Sequence, residues 1–183
     1  MSDTFQAIVD VDASEAASEE LAARVLDWLW AEGIVSREKS DNVLGADAGY
    51  GPGDRLAAWV PEGDDESFRG RWTNGLEVST SAGVYVAPGE DEVGECPRGH
   101  RQPLPEEWGE IMAAWLDNPD AAVVICTTCE AEYPLAEWHL APLLAVGNLA
   151  FTFWNWPPLG DRMVAEVRRL LAPHRIELIA GKL

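Results

Sequence analysis

The three cysteines of this 183-residue chain fall in two short clusters, Cys96-Pro97-Arg98-Gly99-His100 and Cys126-Thr127-Thr128-Cys129. Two soft ligands held in a tight turn can both reach one tetrahedral ion. Thiolates with a neutral imidazole match the borderline softness of zinc. Cys96, His100, Cys126 and Cys129 together make four ligands and leave no open position, the pattern of a structural ion. His139 is an alternative to His100 as the fourth. A redox C-x-x-C at Cys126 and Cys129 leaves Cys96 without a role, and three idle thiols are the plainest alternative. A closed site constrains folding strongly, because metal binding can contribute on the order of 10 kcal/mol to a segment too small to build much core.

On either side of these clusters the chain has the rhythm of an α/β domain. Phe5, Ala7, Val9 and Val11 alternate with Gln6, Ile8, Asp10 and Asp12, which predicts a strand. Asp12 or Ser14 can cap the following helix, where Leu21, Val25, Trp28 and Leu29 recur at helical spacing as far as Gly33. Residues 36–75 are rich in Gly, Pro and Asp, lack a clear period and are expected to form an irregular loop. Leu76 to Thr80 and Gly83 to Ala87 read as two short strands around a turn at Ser81-Ala82, closed by Pro88-Gly89. Between the cysteine clusters, Pro105 to Leu116 predicts a helix with Trp108, Ile111, Met112 and Trp115 on one face. A short strand, Ala121 to Ile125, leads into the second cluster. Then come an aromatic strand from Leu149 to Trp156, a helix from Asp161 to Ala172 and a last strand from Arg175 to Ala180. Strand–helix–strand twice over is the order of a split βαβ unit. The expected class is therefore α+β, a ferredoxin-like split βαβ sandwich with an inserted zinc-ribbon-like module. Residues 1–93 and 142–183 are the two halves of the α/β domain, and residues 94–141 are the insert.

The stretch Gly147-Asn148-Leu149-Ala150-Phe151-Thr152-Phe153-Trp154-Asn155-Trp156-Pro157-Pro158-Leu159 is the most specific run in the chain. With Gly75-Leu76-Glu77-Val78 before the module and Gly181-Lys182-Leu183 at the end, it resembles an uncharacterised bacterial zinc-knuckle family of actinobacteria and proteobacteria, over roughly residues 20–183. The resemblance implies a scaffold with two C-P-x-C-like knuckles and no activity. This sequence departs from it at Gly99, which stands where a second cysteine is expected, with His100 following. Some relatives carry a sugar-transporter ATPase label. No G-x-x-x-x-G-K-[ST] phosphate loop occurs here, and Gly49-Tyr50-Gly51-Pro52-Gly53 lacks the lysine.

The formal charge of −19 narrows the partners. So acidic a chain repels polyanions, so nucleic acid is excluded, and a basic protein is the expected partner. An immunity- or antitoxin-like pairing with a basic toxin would suit it. No apolar run of about 18 residues is present, and Met1-Ser2-Asp3-Thr4 lacks the basic flank of a leader, so the expected location is cytoplasmic and off the membrane. Catalytic constellations are missing: His100, His139 and His174 are the only histidines, and no G-x-S-x-G elbow exists. Asp10/Asp12, Asp64/Asp65 and Glu90-Asp91-Glu92 read as caps or solvated faces. The nine tryptophans are the second anomaly. On the aromatic strand, Thr152, Trp154 and Trp156 should share one face and Phe151 and Phe153 the other. Trp154 and Trp156 are the candidate partner surface, unless the metal module covers that face. The leading expectation is a zinc-stabilised, non-enzymatic binding protein engaging a protein partner through acidic and aromatic surface. The alternative is an enzyme acting on a small polar or sugar substrate in a Trp- and carboxylate-lined groove.

Overall fold

A computed structural model describes residues 2–61, 66–87, 93–140 and 142–183. The turn expected at Pro88-Gly89 and the carboxylates Asp64, Asp65, Glu90, Asp91 and Glu92 lie outside the described residues.

The first strand and helix form as their patterns demand. In β1 (Thr4–Asp10) Phe5 and Ala7 to Asp10 are all buried, because both faces of this strand are covered. Helix α1 (Glu15–Ala31) starts after Ser14 and buries Ser18, Leu21, Ala22, Val25, Leu26 and Leu29 along one stripe. It stops where Gly33 takes φ +66°, a left-handed conformation that glycine adopts without Cβ strain.

Residues 36–75 are not an irregular loop. They contain most of β2 (Val35–Ser40), all of β3 (Gly49–Pro52) and two 3₁₀ turns, Leu56–Ala58 and Glu66–Gly70. Strand β2 lies at a sheet edge and is mostly exposed, so its residues need no apolar alternation and left no period to read. Its basic side chains lie over aromatic rings, Arg37 on Trp30 and Lys39 on Tyr50, each 5.0 Å from the centroid. Charge on an exposed edge discourages pairing with another chain.

The pair expected around Ser81-Ala82 separates into different sheets. Strand β4 (Leu76–Ser79) joins the main sheet, and β5 (Gly83–Val86) pairs with β10 (Leu144–Gly147). Two hairpins follow, β6 (Val93–Glu95) with β7 (Arg101–Pro103), and β8 (Val123–Ile125) with β9 (Glu132–Pro134). Helix α2 (Trp108–Asp117) lies between them in sequence. Strand β11 (Leu149–Trp154), α3 (Asp161–Leu171) and β12 (Ile176–Lys182) complete the chain.

The molecule is mixed α and β around one antiparallel six-stranded sheet, in the order β12-β1-β11-β4-β3-β2. Its helical face packs Ile8, Phe151 and Phe153 against Val25 and Leu29 of α1 and Met163, Val167 and Leu171 of α3. Fully burying one phenylalanine contributes roughly 1.5–3 kcal/mol. The opposite face carries Phe5, Ala7, Val9, Ala150, Trp154 and Ile179, covered by Tyr85, Ala87 and Ala145 from the β5–β10 pair and its flank. Gly147 permits this approach, since a Cβ there would lie 2.5 Å from the Asp10 carbonyl oxygen. The β5–β10 pair also lends Val84, Leu144 and Val146 to the core that holds Cys96 and Cys126.

Candidate metal centre

Each knuckle is a hairpin whose turn aims its ligands to one point. In the first, the Cys96 N–H donates to the His100 carbonyl (2.9 Å) and the Gly99 N–H donates back to the Cys96 carbonyl (2.8 Å). Gly99 sits at φ +82°. A cysteine there would be strained, as any residue with a Cβ is in that conformation. In the second, the Cys126 N–H donates to the Ala131 carbonyl (2.9 Å), and the Glu130 N–H donates to the Cys126 carbonyl (2.8 Å), with Glu130 at φ 56°.

The four expected ligands converge. One ligand atom each from Cys96, His100, Cys126 and Cys129 lies within 4.8 Å of all the others, so the group can hold a metal ion. His100 Nδ1 is 3.6 Å from Cys96 Sγ and 3.7 Å from Cys126 Sγ. A tetrahedron with metal–sulfur bonds of about 2.3 Å and a metal–nitrogen bond of about 2.0 Å has sulfur–nitrogen edges of about 3.5 Å, so the donor set fits. Desolvation raises the Cys129 thiol, but hydrogen bonds from the Tyr133 hydroxyl and His100 outweigh it and hold the group below the ordinary cysteine range. His100 and not His139 joins the three cysteines in this cluster, and His139 Nδ1 lies instead 3.0 Å from Glu177 Oε1 on β12.

A residue that sequence reasoning missed ties the knuckles together. Gln102, buried on β7, donates from Nε2 to the Ile125 carbonyl (3.0 Å). Its Oε1 accepts from the Thr127 N–H (2.7 Å) and the Thr127 hydroxyl (3.1 Å). One amide thus fixes the backbone on both sides of Cys126 from the strand that follows His100. The only available signal was a neutral polar residue between exposed Arg101 and Pro103 in a three-residue strand, too short to establish alternation.

Trp154 and Trp156 do not provide the expected partner surface. They are 8% and 4% exposed. Trp154 packs on Phe5, and its Nε1 donates to Glu77 Oε2 (2.9 Å). The strand ends at Trp154, and Asn155 takes φ 54°, so the alternation that put Trp156 beside Trp154 breaks. Trp156 turns to the helical face, packs on Phe153 at 4.9 Å and donates from Nε1 to the Asn74 carbonyl. Asn155 is itself a hub, with Oδ1 accepting from the Thr4 N–H (3.0 Å) and Arg71 Nη1 (2.9 Å), and Nδ2 donating to Asp3 Oδ1 (2.8 Å) and the Thr73 carbonyl (2.6 Å). The Trp-Asn-Trp run is a structural clasp. The strongly exposed tryptophan among the described residues is Trp72, at 65%.

Asp10 and Asp12 act as structural acceptors. Asp10 Oδ1 accepts the Asp12 and Ala13 N–H groups (3.1 and 3.0 Å), while its Oδ2 lies 2.8 Å from His174 Nδ1. Asp12 Oδ2 accepts the Arg175 N–H (2.7 Å). Burial pushes the Asp10 carboxyl above its ordinary value, against the pull of His174 and the two backbone donors. Among the described residues no helix is long and apolar enough to cross a membrane. No protein-family model, curated protein or solved structure matches this chain.

Proposed function

We propose that this chain is a non-enzymatic binding protein in which a zinc-stapled module presents an acidic, partly apolar surface to a basic protein partner. The sub-order β12-β1-β11-β4, with α1 following β1 and α3 joining β11 to β12, supports a ferredoxin-like split βαβ sandwich extended at one edge by the β2–β3 hairpin. Two ligand-bearing hairpins support a zinc-ribbon-like insert. Three thiols and an imidazole favour zinc over the hard cations, which take oxygen ligands.

The observation that carries this reading is the completeness of the donor set: four protein ligands leave no position for a substrate. An ion so enclosed holds shape, and its consequence must be sought on the surface it shapes. On the outside of the β8–β9 hairpin, Val123 and Ile125 are exposed, with Pro134 and Glu132 directly opposite them. Asp117, Asp120, Glu130 and Glu137 are also exposed in this segment, where Arg98 and Arg101 are the exposed bases. Exposed apolar side chains with a carboxylate directly opposite, in a segment rich in exposed acids, suit a partner that surrounds an apolar anchor with Lys and Arg.

The test begins with metal analysis, which should find about one zinc per chain. Affinity capture from an extract of the native host at low salt should then retain a stoichiometric basic protein that elutes as salt rises. Ile125→Asp combined with Glu132→Lys should abolish that capture with zinc content unchanged. Capture of no stoichiometric basic protein, or capture indifferent to those substitutions, would overturn the reading.

A further inference from the structure

The first knuckle hairpin has a second face that the metal does not use. Pleating places Gly94 and Gln102 inward, and Val93, Glu95, Arg101 and Pro103 on the other side. Glu95 stands directly opposite Arg101. On its far side Glu95 pairs with His139 through two backbone hydrogen bonds of 2.9 Å, each N–H donating to the other's carbonyl. Residues directly opposite in an antiparallel pair project to the same face. Arg101, Glu95 and His139 therefore form one row, and Val93, Glu95, Arg101 and His139 line a cavity of about 200 Å³.

The row is not a closed ladder of ion pairs. Among the described residues neither Glu95 nor Arg101 takes part in an ion pair, although they face one another across the hairpin. His139 Nδ1 lies 3.0 Å from Glu177 Oε1, and among the described residues Nε2 has no hydrogen-bond partner. The cavity thus offers a planar cation, a carboxylate and one oriented imidazole nitrogen, with a single apolar wall at Val93.

We propose that this cavity binds a small free α-amino acid, its carboxylate on Arg101 and its ammonium on Glu95. A guanidinium fork matches a carboxylate in two parallel hydrogen bonds. One fixed charge of each sign suits a ligand that also carries one of each. The small size of the cavity, about 200 Å³, suits a ligand on the scale of alanine or serine. The cavity opens on the β6–β7 hairpin and the proposed partner surface lies on β8–β9, so either assignment can fail without the other.

The experiment is a titration of the zinc-loaded full chain with L-alanine, followed by amide NMR. The amides of Glu95, Arg101 and His139 are expected to shift saturably. Propionate, which lacks the ammonium, and ethylamine, which lacks the carboxylate, should each bind about tenfold more weakly or worse. Arg101→Gln and Glu95→Gln should each weaken L-alanine about tenfold with zinc content retained. Both positions adjoin metal ligands, so the comparison of the three probes on the unmodified protein decides independently of the variants. No saturable shift with L-alanine, or propionate or ethylamine binding as tightly as L-alanine, would overturn the proposal.

Discussion

The six-stranded sheet and the knuckle module solve the same problem in opposite ways. Three neighbouring strands of the sheet, β12, β1 and β11, are six or seven residues long. The sheet buries Ile8, Phe151, Phe153 and Met163 completely under two helices. The module has strands of three residues and a helix with one buried side chain, Trp115. Two of the residues in its core, Cys96 and Cys126, belong to the cluster that can hold a metal ion. It also holds Trp138 Nε1, a buried polar atom without a partner among the described residues, at a cost of about 1–3 kcal/mol. Where the chain is long enough to bury apolar area, burial defines the structure. Where it is not, four converging side chains that can hold a metal ion are placed to take that role.

Metal removal should expose this difference most sharply. Chelation, or Cys126→Ser, is expected to cost the module on the order of 10 kcal/mol of metal-linked folding free energy. Hydrogen exchange should then show lost protection at Val124, Cys126 and Tyr133, with Ile8 and Phe151 still protected. Equal loss at Phe151 would mean that the two regions are one cooperative unit. The converse experiment is Phe151→Ala, which should lower stability by about 3–5 kcal/mol in denaturant melts while zinc content stays the same.

A smaller effect sharpens the account of the module. Gln102→Leu keeps the side chain's bulk and removes the bridge between knuckles, so zinc affinity should fall about 10–100-fold against a competing chelator. Unchanged affinity would make Gln102 a bystander. The smallest effect belongs to the sheet. Hydrogen bonds from Asn155 and Thr73 hold the Asp3 carboxyl below its ordinary value. A carboxylate depressed on folding contributes stability that is present above its unfolded value and lost as pH falls through the folded one. In Asn155→Ala the Asp3 titration, followed by NMR, should move up towards the ordinary range, and that acid-side loss should shrink.

Some of this was legible in the residues, and the boundary has a physical cause. The strand of Phe5 to Asp10, the helix with Leu21, Val25 and Leu29, and the ligands at two- and three-residue spacing all depend on neighbours in sequence. Local periodicity and turn geometry report such features directly. Strand β2 was hidden because an exposed edge needs no apolar alternation, and Trp156 was misplaced because the left-handed turn at Asn155 ended the strand's period.

The amino-acid sequence by itself determined which side chains are available to a soft ion, because a thiol or an imidazole keeps its affinity for one wherever it lies in the chain. Tertiary structure alone decided that His100 and not His139 lies with the three cysteines, that β5 leaves β4 for β10, and that Trp154 is covered. Each of these is a choice among partners distant in sequence, settled by packing and hydrogen bonding across the whole fold, and no local pattern records it.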